Sequence, residues 1–388
     1  MTIEADTVIV GGGIYGCGTA WELARRDVDV LVVEAETVAS GASGGLGYRG
    51  VRANGRDPRE LPLMARAYDL WPRLADRIDA ATGYTRTGHL RLYETRTDAP
   101  RRGIESAPAR QWLQATNGVE NEVIGREELE RMEPALTDAI EGALYCPNDG
   151  VADHTATTQG LAQAGQRAGA RIREHTTVTS LSTDGSTVTG LRTDGGEEIV
   201  VGEELLLVAN LGVKELMADA FDLTLPIYRI LPQVMRTEPI EPMPVNHLIG
   251  HDSRTLALKE IPGQRVMISG GWRGEWDPAA DRGRTIDEQV KRNAEQAAAV
   301  YPSLADVAIE EADASRPESV SIDGVPIIDR VPADSNVIVA TGWCGHGFAI
   351  SLAVNEALAA WVTDGHKPSV LGPFGYDRFE NRAEADYR

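Results

Sequence analysis

Apolar and polar positions follow distinct rhythms along this chain, and each rhythm predicts an element. Residues 7–10 form a short apolar run, which reads as a buried parallel strand. Three glycines follow, and then Ile14, Ala20, Leu23 and Ala24 recur at helical spacing. Residues 28–33 make a second apolar strand that ends on Glu34. Further on, Leu63, Ala67, Leu70, Leu74 and Ile78 give residues 60–80 a helical period. A strand is predicted at 89–93, short helices at 109–115 and 126–132, and a helix of small residues at 155–169. From 170 to 209 strands alternate with turn signals at Asp184-Gly185 and Asp194-Gly195-Gly196. Within that stretch, 205–209 reads as another buried parallel strand. Antiparallel strands are expected in 226–237 and 255–270, a helix in 285–300, a strand at 337–340 and a helix at 352–362.

The strand–turn–helix pattern thus occurs at both ends of the chain and in its middle. This predicts an α/β, Rossmann-like domain made of residues 1–85, 145–215 and 325–388. A second α+β domain, residues 86–144 and 216–324, is then inserted rather than appended.

The first 34 residues carry specific chemistry. Gly11, Gly13 and Gly16 stand in G-x-G-x-x-G spacing between a strand and a helix. Gly11 permits a tight turn, Gly13 lets backbone approach a pyrophosphate, and Gly16 lets helix and strand pack closely. Phosphates then face free N–H groups at the positive end of the helix. Glu34 suits both ribose hydroxyls and repels a 2′-phosphate. A dinucleotide site follows, although the motif alone does not separate FAD from NAD.

Composition narrows the partners. The 388 residues carry 38 Lys and Arg against 59 Asp and Glu, a formal charge of -21, which argues against nucleic acid. Lys214, Lys259, Lys291 and Lys367 are the only lysines. Such an acidic, lysine-poor chain fits either a high-salt cytoplasm or a GC-rich genome. No apolar run reaches about 18 residues, so no spanning helix is expected. The acidic N-terminus carries no secretory signal. Cys17, Cys146 and Cys344 are scattered and suggest neither a disulfide framework nor a metal site; a reducing cytoplasm is the default.

Residues 37–52 form a loop of small residues too long for a simple connection, suited to backbone passing close to a ligand. This loop, with Gly41-Ala42-Ser43, Arg49 and Arg52, is one part of a wider resemblance. The other parts are Val8 to Glu34, Asp149-Gly150, Thr237-Glu238-Pro239, Asp323 to Ile328, Gly345-His346-Gly347-Phe348 and the C-terminal Pro373-Phe374 with Arg378-Phe379. Over essentially its whole length the chain resembles the D-amino-acid-oxidase-like flavoprotein superfamily, in its sarcosine oxidase, glycine oxidase and proline dehydrogenase β-subunit branch.

The resemblance implies a discontinuous FAD domain of the glutathione-reductase-like type and a substrate domain on a large mixed sheet. It implies oxidation of an amine on a carboxylic acid to an imine, with electrons passing to oxygen or another acceptor. Cofactor contacts implied are Gly11, Gly13, Ile14, Tyr15, Gly16, Glu34, Ala35, Ser40, Gly41, Ala42, Ser43, Arg49, Gly342, Gly345, His346, Gly347 and Phe348. Arg52 matches the arginine that holds the substrate carboxylate in monomeric sarcosine oxidases. Arg316 resembles the carboxylate-binding arginine of glycine oxidases, at a spacing about two residues longer. Counted without gaps, Arg316 instead takes the place of a flavin-linking cysteine, so FAD is expected to be noncovalent.

Departures are also visible. Ala349 replaces a lysine after Gly-His-Gly-Phe, and the strand at 266–271 lacks the lysine that promotes reaction with oxygen. A dehydrogenase is therefore expected over an oxidase. Asp27 replaces a usual glycine, and Ala209-Asn210 replaces the usual Ala-Gly. Two rivals stay open: a 2-hydroxy-acid dehydrogenase using His346 as base, and an electron-relaying subunit of a larger complex. A partner subunit or a homo-oligomer is compatible with either.

Overall fold

The computed structural model describes residues 3–45, 47–94 and 103–379. Its first eight-stranded sheet grows from the buried strand Ile3–Val10. That strand pairs in parallel with Val30–Val33 on one side and Glu198–Leu207 on the other. Arg171–Arg173 extends the sheet beyond Val30–Val33, and Val337–Thr341 extends it beyond Glu198–Leu207, both in parallel. Ile327–Arg330 closes that edge antiparallel, and the hairpin of Val178–Asp184 and Thr187–Thr193 pairs with the start of Glu198–Leu207.

Side-chain alternation explains why these strands read as unbroken apolar runs. Ile9, Val30, Val32, Leu206, Ile338 and Ala340 pack with the helices Ile14–Ala24, Leu61–Ile78, His154–Arg167 and Ser351–Asp364. Val8, Val10, Leu31, Val33, Leu205 and Leu207 pack on the opposite face with the hairpin and the helix Val213–Phe221. Both faces are buried, so neither needs polar residues.

The second eight-stranded sheet runs Ile309–Asp313, Val234–Thr237, Arg265–Ser269, Ala257–Ile261, Leu248–His251, His89–Glu94, Ile140–Cys146, Glu122–Gly125. It is mixed, because Leu248–His251 and His89–Glu94 pair in parallel while the other pairs are antiparallel. Met235, Ile249, Leu258, Val266 and Ile268 bury one face, against the helix Asp287–Val300. The other face carries Val234, Met267, Lys259, Leu248 and His89. Over it lies a two-stranded sheet, Tyr48–Val51 with Gly150–Asp153. This small sheet is where the first unit meets the second.

Most expected elements are present, with one correction. The expected strand at 226–237 is broken: Ile227–Ile230 pairs with Glu318–Ser321 in a separate two-stranded sheet, and only Val234–Thr237 joins the large one. Pro232, which has no N–H to give a ladder, lies at the break. Two sequence departures also find their reason. Asp27 (φ 61°) and Asn210 (φ 54°) both adopt the left-handed conformation, which short polar side chains tolerate better than others. No helix among the described residues is long and apolar enough to cross a membrane.

Candidate cofactor and substrate site

A cavity of about 470 Å³ runs along the carboxyl ends of the parallel strands, from Glu34 to Phe348. Its floor is the glycine turn. Gly11 has φ 117°, and a Cβ there would lie 3.0 Å from the backbone of Val208 and Ala209. A Cβ on Gly16 would fall 1.8 Å from the Gly11 carbonyl oxygen, so only glycine lets the helix sit this close. A Cβ on Gly13 would meet nothing within 4 Å, which leaves the apex of the turn open. No side chain caps the helix Ile14–Ala24 at Gly13, so its first N–H groups are available to an anion. The Glu34 carboxylate accepts from Gly12 N–H (2.5 Å) and Glu36 N–H (2.9 Å), fixing an acid at that end of the cavity.

The opposite end is built by the turn between Val337–Thr341 and Ser351–Asp364. Gly342 (φ 75°), Cys344 (φ 58°) and Gly345 (φ 77°) give it a tightly coiled path. Trp343 stacks on Tyr15 at 3.6 Å between ring centroids, and Tyr15 donates to the Gly347 carbonyl (2.7 Å). Glu318, buried, accepts from Gly345 N–H (3.2 Å) and from the Ser43 hydroxyl. It thereby clamps this turn to the loop after Glu34, and burial raises its carboxyl pKa. His154 lines the cavity next to Phe348, and its Nε2 lies 2.9 Å from the Gly45 carbonyl. Burial, followed by the Arg49 charge, lowers its pKa to about 4.

Arg49 and Arg52 leave the strand Tyr48–Val51 close together but differ in their partners. Arg49 lines the cavity, and its Nη2 donates to the carbonyls of Ser43 (2.9 Å), Gly44 (2.6 Å) and Gly45. It organises the loop. Arg52 gives only Nη1, to the Asn54 carbonyl (2.5 Å), and no carboxylate among the described residues lies within ion-pair distance of it. Burial, then the neighbouring Arg56 charge, lowers its pKa to about 10. Its backbone is held from behind by Asp149, which accepts from Ala53 N–H (2.7 Å), Asn54 N–H (3.2 Å) and the Tyr68 hydroxyl (2.5 Å).

Of the residues expected from the sequence, Gly11, Gly13, Ile14, Tyr15, Glu34, Ala35, Gly41, Ala42, Ser43, Arg49, Gly345, Gly347 and Phe348 all line one cavity. Gly16 lies behind it as a packing contact. Gly342 supports the far turn through its N–H to Ser319 Oγ (2.9 Å), and Ser40 donates to Glu36 (3.1 Å). Neither Arg52 nor His346 lines this cavity, and Arg316, which does line it, has its guanidinium committed elsewhere. Arg316 lies at the Glu34 end, with its fork bidentate on Glu36 (2.9 and 2.7 Å), so its guanidinium is committed far from Arg52. His346 does not line the cavity. Its Nδ1 sits 3.3 Å from both Arg56 Nη1 and Glu60 Oε1, and Arg56 also donates to its carbonyl (2.6 Å).

Sequence reasoning missed Glu318 and Lys259, and it named Asp149 only as part of a turn, without its hold on Ala53, Asn54 and Tyr68. Lys259 bears on the expectation of a cation-free strand at 266–271. It stands directly across the ladder from Met267, so a buried amine occupies the neighbouring strand instead. A lone lysine within Ala257-Leu258-Lys259-Glu260-Ile261 was the available signal.

Comparison with known proteins follows the same lines. The profile of the family described as "FAD dependent oxidoreductase" matches residues 6–361. Sarcosine oxidase subunit beta of Rhizobium meliloti (strain 1021) is 27% identical over 382 residues, covering 97% of this chain and 88% of the relative. Glycine oxidase of Geobacillus kaustophilus (strain HTA426) is 27% identical over 399 residues, covering 97% and 98%. The crystal structure of L-proline dehydrogenase from P. horikoshii superposes with a TM-score of 0.86 over 98% of this chain and 100% of that one. At 24% identity that likeness shows a common fold.

Proposed function

The chain belongs to the FAD-dependent oxidoreductase family, and from that premise we propose that it oxidises the C–N bond of an amino acid or N-alkyl amino acid to an imine, which water then hydrolyses. FAD, when bound, supplies the acceptor for the hydride that leaves the substrate α-carbon. The residues present fit this group. The open apex at Gly13 and the uncapped helix behind it would hold the pyrophosphate, and Glu34 the adenosine ribose. Gly345, Gly347 and Phe348 would border the flavin ring. With Arg316 in place of a linking cysteine, the cofactor is held without a covalent bond.

One observation carries the substrate reading: Arg52 is a largely buried guanidinium with no carboxylate at ion-pair distance among the described residues. A buried cation left unpaired is costly, and its planar fork matches a carboxylate in two parallel hydrogen bonds. Arg52 therefore anchors the substrate carboxylate. The charges of Arg49 and Arg52 disfavour an ammonium group, so they favour the neutral amine, the form that gives up hydride. The names sarcosine oxidase, glycine oxidase and L-proline dehydrogenase each refer to an amine on a carboxylic acid, in support of this reading. The hydroxy-acid alternative needs a free base facing the substrate, and His346 is instead engaged with Arg56 and Glu60.

The R. meliloti relative is a beta subunit, so assembly with a further chain belongs to the same proposal. The test is turnover with an artificial electron acceptor on paired amino, N-methyl amino and 2-hydroxy acids. The reading expects an oxo acid with ammonia, or an aldehyde or oxo acid with the released amine, in equal amounts. Turnover of hydroxy acids alone would contradict it.

A further inference from the structure

Lys259 stands out among the ionisable side chains that the proposed reaction does not use. It is 5% exposed, and no hydrogen bond or ion pair with another described residue engages its ammonium group. Its position is set by the sheet. In the ladder Lys259 faces Met267 on one side. On the other side, one step beyond the Ile249–Leu258 pair, it neighbours Leu248. The strand carrying the arginines crosses above these same neighbours. A Cβ on Gly47 would lie 3.9 Å from Met267 Cε, and one on Gly50 would lie 3.2 Å from Leu248 Cδ2. Lys259 therefore lies on the sheet face beneath the segment that carries Arg49 and leads into Arg52, where Gly47 and Gly50 let that segment approach Met267 and Leu248 closely.

The charges around it have one sign. The groups acting on Lys259 are Arg49 and Arg52, both positive, and with burial they lower its pKa to about 7. Arg49 is spent on four carbonyls, those of Tyr48, Ser43, Gly44 and Gly45. Arg52 and Lys259 are left as two cationic groups that form no ion pair with a carboxylate among the described residues. One substrate carboxylate satisfies the fork of Arg52. The ammonium of lysine, a compact charge with three donors on a long stem, suits a second carboxylate at the far end of the same molecule.

We propose that Lys259 holds a second carboxylate, and that the preferred substrate is an amino or imino dicarboxylate bound with its α-carboxylate on Arg52 and its distal carboxylate on Lys259. This deepens the amine reading above and rests on it. A bound dianion would also draw Lys259 fully into its ammonium form, because it replaces a cationic field with a balanced one.

The first arm of the test measures binding, independent of turnover. Diglycolate and methoxyacetate both replace the amine by an ether oxygen and differ by one carboxylate. Titrated calorimetrically into the FAD-loaded protein at pH 7, diglycolate should bind about 10- to 100-fold tighter, as expected for one additional charge-assisted pair. In Lys259→Met that preference should collapse, and in Lys259→Arg it should largely survive. Equal affinity of the wild-type protein for both ligands overturns the proposal, and so does a preference that Lys259→Met retains. The second arm uses anaerobic flavin reduction by iminodiacetate and by sarcosine. Reduction by sarcosine with no advantage for iminodiacetate overturns the second anchor and leaves the amine reading standing. Reduction by no amine at all overturns both.

Discussion

Replacing Arg52 by methionine separates a substrate anchor from a structural arginine. In the folded chain Arg52 contributes one hydrogen bond, Nη1 to the Asn54 carbonyl, and no ion pair. Four of its five N–H donors are thus uncommitted to described residues, enough for two parallel bonds to a carboxylate. Charge-assisted bonds of this kind contribute about 1.5–3 kcal/mol, so Arg52→Met should weaken binding of a carboxylate ligand about 10- to 100-fold. Stability should respond differently. Losing the Asn54 bond costs about 1 kcal/mol and removes the attraction of Asp149 and Glu60, but the substitution also removes a desolvated charge that repels Arg56 and Arg91. These effects oppose each other, so the melting temperature should stay within about 3 °C of the parent. Calorimetric titration of a nonreactive carboxylate, kcat/KM for an amine substrate and a thermal melt of the loaded protein read the two effects separately. Unchanged affinity together with a melting temperature lowered by about 10 °C or more would refute the anchor and make Arg52 a structural residue.

Three other outcomes are expected. Gly16→Ala would place a Cβ 1.8 Å from the Gly11 carbonyl oxygen, backbone against side chain with nothing soft to yield, so the purified variant should lose most of its flavin absorbance; a normal flavin-to-protein ratio would contradict the packing argument. His154 has a folded pKa of about 4, below the 6.5 of a free imidazole, so its contribution to stability is complete above pH 6.5 and is lost as pH falls towards 4. That contribution is up to about 3 kcal/mol. His154→Gln keeps a donor for the Gly45 carbonyl and should flatten the fall of melting temperature between those pH values, whereas curves parallel to the parent would refute the assignment. Denaturation should release a yellow small molecule that runs as FAD, and flavin retained on the precipitated chain would refute noncovalent binding.

What the sequence discloses depends on how local the determining physics is. The strand, glycine turn and helix at 7–24 are legible because steric demands on Gly11 and Gly16 and burial on both sheet faces act within a few residues. The placement of Arg49 on the short strand Tyr48–Val51, with Arg52 directly after it, is equally local. Arg316 is different. Its sequence setting, Arg316-Pro317 a short way before Asp323-Gly324, resembles a substrate arginine, but a bidentate pair with Glu36, 280 positions away, decides its place. Glu318 is hidden for the same reason: its burial depends on Ser43 and Gly345 meeting across the cavity. Lys259 becomes visible only when Ala257–Ile261 is laid antiparallel against Arg265–Ser269, which puts it opposite Met267. The expectation that residues 266–271 lack the lysine considered that strand without its neighbour.

The central claim is that a carboxylate-bearing amine, anchored at Arg52, loses a hydride to bound FAD. Anaerobic mixing of the loaded protein with excess amino or N-alkyl amino acid tests it most directly, with flavin absorbance followed in time and products counted after one turnover. The account predicts complete bleaching, one oxo acid or aldehyde for each flavin reduced, and at least tenfold weaker half-saturation in Arg52→Met. Flavin that stays oxidised with every amine, or bleaches only with 2-hydroxy acids, would contradict it.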